Sequence, residues 1–218
     1  MTVGSILLSG AAIALLLGVG QRVLDKMHLT DRAAVIIIAA MFVGGLLPDI
    51  DLGLVRINVG GAVIPLGVCA YLLVRAENDE RVRAVMGAVV TSGILYLLGR
   101  IMPDEPEKIW IDPVYLCGII AGISGTVFGH SRRGAFISGV TGVLLADVIN
   151  AIVVWSTGVE QTLRLGGAGI FDTTVISGLS AVLLAELIGE AMERVARMRG
   201  VQAESRRVHD PRKGEKHD

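Results

Sequence analysis

Apolar residues gather in seven segments along the chain: 3–20, 33–47, 59–74, 82–99, 114–129, 134–156 and 170–191. Polar or glycine-rich stretches separate them. A helix rises 1.5 Å per residue and a bilayer core is about 30 Å thick, so about 20 apolar residues are needed to cross it. Several of the seven are shorter, but Gly, Ser and Thr at their flanks lengthen them. The pattern predicts an all-α fold, a polytopic transmembrane helix bundle of about seven spans. Segment 33–47 is the one best suited to lie as a re-entrant or interfacial helix instead. Segment 3–20 has no basic n-region and no small-residue cleavage site, so it reads as a span and not as a cleaved leader.

Composition sharpens this picture. Hydrophobic residues make up 52% of the 218 residues, Gly adds 28, and 19% are charged. Residues 192–218 alone hold eight Lys/Arg and five Asp/Glu. That leaves 1–191 with the composition of a transmembrane helical domain. The charged tail, 192–218, starts as a helix extension with Glu190–Arg194 and Glu193–Arg197 at i,i+4, then turns polar and disordered. A soluble enzyme, a disordered regulator and a nucleic-acid binder are excluded. Cys69 and Cys117 both lie in apolar runs and read as packing residues, with no disulfide or zinc framework. No metal and no cofactor is expected. The expected partners are membrane lipid and further copies of the chain.

The Lys/Arg distribution sets an orientation. With seven spans, one side carries 16 of these residues and the other carries four: Arg56, Arg100, Lys108 and Arg164. The positive-inside bias then puts the N-terminus outside the cell membrane and the C-terminus in the cytoplasm. Tyr96, Trp110, Tyr115 and Trp155 fall at the outer ends, as an interfacial aromatic belt would. Gly118, Gly122, Gly125 and Gly129 line the fifth span, and Ser177, Ala181, Ala185 and Gly189 the seventh. Small residues at this spacing let helices approach closely.

Two stretches echo one another. Arg56-Ile-Asn-Val-Gly-Gly-Ala-Val-Ile opens the third span, and Arg164-Leu-Gly-Gly-Ala-Gly-Ile opens the seventh. The glycine pairs Gly60-Gly61 and Gly166-Gly167 lie 106 residues apart. One reading is a 3+1+3 parallel repeat, with spans 1–3 and 5–7 duplicated about a central fourth. The other is coincidence over about six positions.

Carboxylates carry the candidate chemistry. A charge at mid-bilayer costs about 2.5–3.5 kcal/mol on insertion scales and usually marks function. Asp147 lies near the middle of the sixth span, with Asn150 on the same helix face. Asp172 enters the seventh span after Gly166-Gly167-Ala168-Gly169 and is followed by Thr173 and Thr174. If the glycine-rich stretch carries Asp172 inward, the two carboxylates meet. Two adjacent carboxylates share a proton, the condition for activating water. The same pair would also hold a proton or cation for transport. Asp49 and Asp51 are a candidate third component on the outer side, and Gly167, Gly169 and Thr173 complete the candidate set. Plainer roles fit as well: Asp147 bonded within the bundle, Asp172 as a helix cap, and Asp49 and Asp51 in a solvated turn with Arg56.

Two resemblances attach to these residues. Ile57-Asn58-Val59-Gly60-Gly61-Ala62-Val63-Ile64-Pro65, Gly129-His130-Ser131-Arg132-Arg133, Leu144-Leu145-Ala146-Asp147 and Gly166-Gly167-Ala168-Gly169-Ile170-Phe171-Asp172 resemble the prokaryotic multi-pass family called domain of unknown function 1614. That resemblance implies a polytopic membrane protein with no assigned activity. Asp147, with the glycine-rich entry to Asp172 and Val175-Ile176-Ser177-Gly178, is similar to the presenilin and signal-peptide-peptidase class of intramembrane aspartyl proteases. In that class Tyr precedes the first Asp, where this chain has Ala146, and Gly-x-Gly directly precedes the second, where Ile170 and Phe171 intervene.

Three functions fit: an intramembrane aspartyl hydrolase with Asp147 and Asp172 as general base and general acid, acting on a transmembrane peptide; a proton- or cation-coupled transporter using the same carboxylates with Asn150, Asp49 and Asp51; and a non-catalytic membrane scaffold. The orientation is directly testable. On a background lacking Cys69 and Cys117, single cysteines placed in 100–113 and 157–169 should react with an impermeant maleimide added outside cells. Labelling of 75–81 instead would reverse the orientation.

Overall fold

Six of the seven apolar segments fall on helices in the computed structural model, which describes residues 31–101, 113–129, 131–167 and 172–208. Segment 3–20, Trp110, Gly169 and residues 209–218 lie outside the described residues. In chain order the helices are α1 (Asp31–Leu46), α2 (Ile64–Arg75), α3 (Asn78–Ile101), α4 (Pro113–Gly129), α5 (Arg132–Ser156) and α6 (Thr173–Val208). One turn of π-helix, Val59–Val63, leads into α2. Pro65 sits in the first turn of α2, where its missing N–H would have had no helical partner. Ser131 starts α5: its Oγ accepts the Gly134 N–H at 2.9 Å and donates to Glu80 at 2.5 Å. Arg133 stands 3.8 Å from the same Glu80 carboxylate. The start of α5 is thereby tied to the start of α3.

Helices α3, α4 and α5 pack against one another, and α2 packs on α5. The contacts are made by small residues. A Cβ added at Gly122 would stand 2.5 Å from Ser180 Cβ and 3.0 Å from the Ala181 nitrogen. Gly118 meets Ile176 and Gly139 meets Ser177 in the same way, so α6 lies on both α4 and α5. Hydroxyls bond across these seams. Thr91 Oγ1 and Ser124 Oγ are 2.9 Å apart between α3 and α4. Ser138 donates to the Ala84 carbonyl at 3.0 Å, and Thr126 to the Ala181 carbonyl at 2.8 Å. Buried Thr91, Ser92, Ser124, Ser138 and Ser177 thus occupy the interior, while Val74, Val82, Val89, Leu97 and Ile123 point outward.

An interior rich in glycine, alanine and hydroxyls, around a few aliphatics such as Leu72, Ile137 and Val140, inside an exposed aliphatic exterior is not what water selects. It is what lipid selects, because tails solvate Leu and Val as well as a protein core does. Among the described residues three helices, Asn78–Ile101, Arg132–Ser156 and Thr173–Met192, are long and apolar enough to cross a membrane. Val59–Arg75 and Leu116–Gly129 are shorter apolar helices. The chain is an all-α helical bundle of a membrane protein.

Among the described residues a small sheet accompanies the helices. Strands β1 (Ile50–Asp51), β2 (Val55–Ile57) and β3 (Leu163–Leu165) form a three-stranded sheet in the order β1-β2-β3. β1 pairs antiparallel with β2. β2 pairs parallel with β3, in the register Val55–Leu163, Arg56–Arg164 and Ile57–Leu165. Both triplets, Val-Arg-Ile and Leu-Arg-Leu, alternate apolar and polar as a strand requires. The two echoed stretches therefore lie side by side.

The chain divides into two compact units, Met1–Ala185 and Glu186–Asp218. In the second, α6 continues to Val208. Glu190 and Arg194 form an exposed pair at 3.5 Å, one helical turn apart.

The packing has a measurable consequence. Gly122→Leu forces the backbones of α4 and α6 apart and should lower the melting temperature of the detergent-purified protein sharply, as overpacking costs about 1–3 kcal/mol or more. Leu97→Ala, on the lipid face, should leave it nearly unchanged. Equal tolerance of both would contradict close backbone packing at that seam.

Candidate functional site

Asp147 lies on α5, nine residues before Ser156, or about 13 Å along the helix at 1.5 Å per residue. It is half-buried. It lines a cavity of about 300 Å³ together with Asn150, Ala151, Gln161, Thr162, Leu163 and Arg164. The first three positions, Asp147, Asn150 and Ala151, come from one face of α5. The other four come from β3 and the residues leading into it. Trp155 Nε1 donates to the Gln161 carbonyl at 2.7 Å and holds this connection against the end of α5.

β3 is fixed from its other side. The Leu163 N–H donates to the Leu54 carbonyl at 2.8 Å, and the Asn58 N–H to the Leu165 carbonyl at 2.9 Å. Asn58 is buried, at 4% exposure. Its Oδ1 accepts the Gly61 N–H and its Nδ2 donates to Asp49, each at 2.9 Å. Asn58 ties together the β1 turn and the π-helical turn through its side-chain amide, and β3 through its backbone N–H. Asn58 enters the sequence reading only as one letter of a motif. An Asn before Gly-Gly at a span entrance is the signal that marks it as a cap.

Asp172 immediately precedes α6. Its Oδ1 accepts the Thr174 N–H at 2.9 Å, and its carbonyl accepts the Ile176 N–H at 3.0 Å. It is the N-cap of that helix. Its charge also lies within electrostatic reach of Asp147. Cys117 of α4 is within reach of Asp147 as well. The structure thus brings Asp147 and Asn150 into one cavity, and Asp172 is not among the residues that line it. Thr173 opens α6, half-buried, and Gly167 lies next to Arg164. Thr174 is fully buried, and its Oγ1 has no hydrogen-bond partner among the described residues. Nothing in the sequence separates it from Thr173.

Asp49 and Asp51 are not part of the cavity lining. Asp49 receives the Asn58 amide. Asp51 accepts the Gly53 N–H at 2.9 Å and pairs with Arg56 Nε at 3.0 Å. The Gly53 hydrogen bond first, and the Arg56 charge after desolvation, hold the Asp51 carboxyl below its ordinary value. A lowered carboxylate stabilises the folded turn above the ordinary carboxylate range, and that contribution disappears as pH falls through the lowered value. The pair is exposed, so its contribution is small. Among the described residues no group of three or more His, Cys, Asp or Glu is placed to hold a metal ion.

No curated protein and no solved structure matches the chain. A family model described as protein of unknown function (DUF1614) matches residues 35–184, which include Asn58, Asp147, Arg164 and Asp172. The match covers most of the 218 residues, and the chain belongs to the DUF1614 family.

Proposed function

We propose that this membrane protein is a proton- or cation-coupled transporter that uses Asp147 as its coupling carboxylate. One observation carries the reading: a half-buried carboxylate inside an apolar span borders a cavity that Asn150, Gln161, Thr162 and Arg164 also line, and it has no hydrogen bond or ion pair of its own among the described residues. A carboxylate in that position is costly unless it exchanges its charge with a proton or a cation. The Lys/Arg asymmetry of the connecting segments puts the cavity on the outer side, with the C-terminus in the cytoplasm. Asn150 supplies a neutral amide within the same lining.

The proximity of Asp172 favours a second reading, an intramembrane aspartyl hydrolase in which the two carboxylates share a proton. The two readings separate at Asp172. Its structural task is to cap α6, and Asn caps a helix as well as Asp does. In the transporter Asp172→Asn should leave activity within about threefold, because the cap survives. In the hydrolase it should abolish activity, because a neutral amide cannot exchange the shared proton.

The test uses the full chain reconstituted in liposomes. An imposed pH or cation gradient should drive flux, and Asp147→Asn should reduce that flux to the background of empty liposomes. Cleavage of an added transmembrane peptide, lost in both Asn variants, would replace transport by hydrolysis. Flux unchanged in a folded Asp147→Asn protein would remove Asp147 from any coupling role.

A further inference from the structure

Resting on the transport reading, we infer that the Asp147 cavity binds a small zwitterion, with its ammonium group at Asp147 and its carboxylate at Arg164. Both charged residues line the cavity, yet they are not paired with each other. Arg164 has neither an ion pair nor a side-chain hydrogen bond among the described residues. The contrast with its strand partner is informative. Arg56 stands opposite Arg164 in the β2–β3 register and is engaged with Asp51 at 3.0 Å. Arg164 has no such carboxylate and faces the cavity instead.

A lone inorganic cation at Asp147 would share the cavity with a guanidinium, and a lone anion at Arg164 would share it with a carboxylate. Each is opposed by one of the two walls. A molecule with a positive and a negative end is opposed by neither. Asn150, Gln161 and Thr162 supply neutral donors and acceptors, and Leu163 and Ala151 supply apolar surface for a short aliphatic body. At about 300 Å³ the cavity is at the small end of ligand sites, which fits an amino-acid-sized solute. A guanidinium holds a carboxylate through two parallel N–H donors, which fixes the solute's direction.

The test is calorimetric titration of the full-length protein in detergent with glycine, β-alanine and 4-aminobutyrate, alongside methylammonium and acetate. At least one zwitterion should bind about ten- to a hundredfold more tightly than either single-charge probe, as expected for one further charged hydrogen-bonded contact. Arg164→Gln should bring that zwitterion down to the level of methylammonium, and Arg164→Lys should recover part of the difference. Asp147→Asn should bring it down to the level of acetate. If methylammonium or Na+ binds at Asp147 and no zwitterion binds more tightly, the zwitterion site is wrong while the coupling carboxylate stands. If the zwitterion binds equally well to the Arg164→Gln protein, the inference also fails. If no probe binds and Asp147→Asn leaves flux unchanged, the transport reading falls with it.

Discussion

The contact between the backbones of Gly61 and Gly166 holds the candidate site together. A Cβ on either glycine would fall onto the backbone of the other. Gly166 also adopts φ +69°, a conformation that L side chains rarely take. This approach lets β2 and β3 pair in parallel although more than a hundred residues separate them. It lets Asn58 reach the Leu165 carbonyl while capping the π-helical turn. Residues 161–164 are in turn held beside α5, where they and Asp147 enclose one cavity. Without the glycines the strands separate by at least the width of a methyl group, and the cavity loses a wall.

Lipid surroundings account for the rest of the bundle. Helices do not gain from burying aliphatic groups that lipid already solvates, so they associate through close backbone approach and interhelical hydrogen bonds. Gly118, Gly122 and Gly139 provide the first, and Thr91, Ser124, Ser138 and Thr126 the second. Asp147 is on one of these tightly packed helices, and it also lines the cavity. The rigid seam and the open polar pocket share α5.

The helices were legible because lipid imposes a strong one-dimensional signal. Runs of apolar residues and stripes of glycine and alanine mark α1 to α6 and the faces that touch. The sheet was not legible. Its strands have two or three residues each, too few for alternation to stand out between spans. The Arg56 and Arg164 stretches were visible as similar, and their similarity suggested duplicated spans; nothing local says that they pair with one another. Asp147 and Asn150 could be placed in one site from helix periodicity. Asp51 pairs with Arg56 in an exposed turn, the plainer of the two roles that the sequence allowed, whereas nothing in the sequence pointed to Asn58 as the partner of Asp49. Arg164 entered the sequence reading as a topological charge and as the start of an echoed stretch, not as a site residue. Its place in the cavity depends on β3, which no periodicity revealed.

The central claim is that Asp147, deep within an apolar helix, is in contact with water from the outer side. Carbodiimide-driven coupling of a hydrophilic, membrane-impermeant amine, added to sealed right-side-out vesicles and mapped by mass spectrometry, measures this directly. Asp147 should be modified, less so when Asn150→Phe fills the cavity, with Asp51 labelled equally in both proteins. Labelling of Asp51 with none at Asp147, or labelling of Asp147 only when the amine is inside the vesicles, would contradict it.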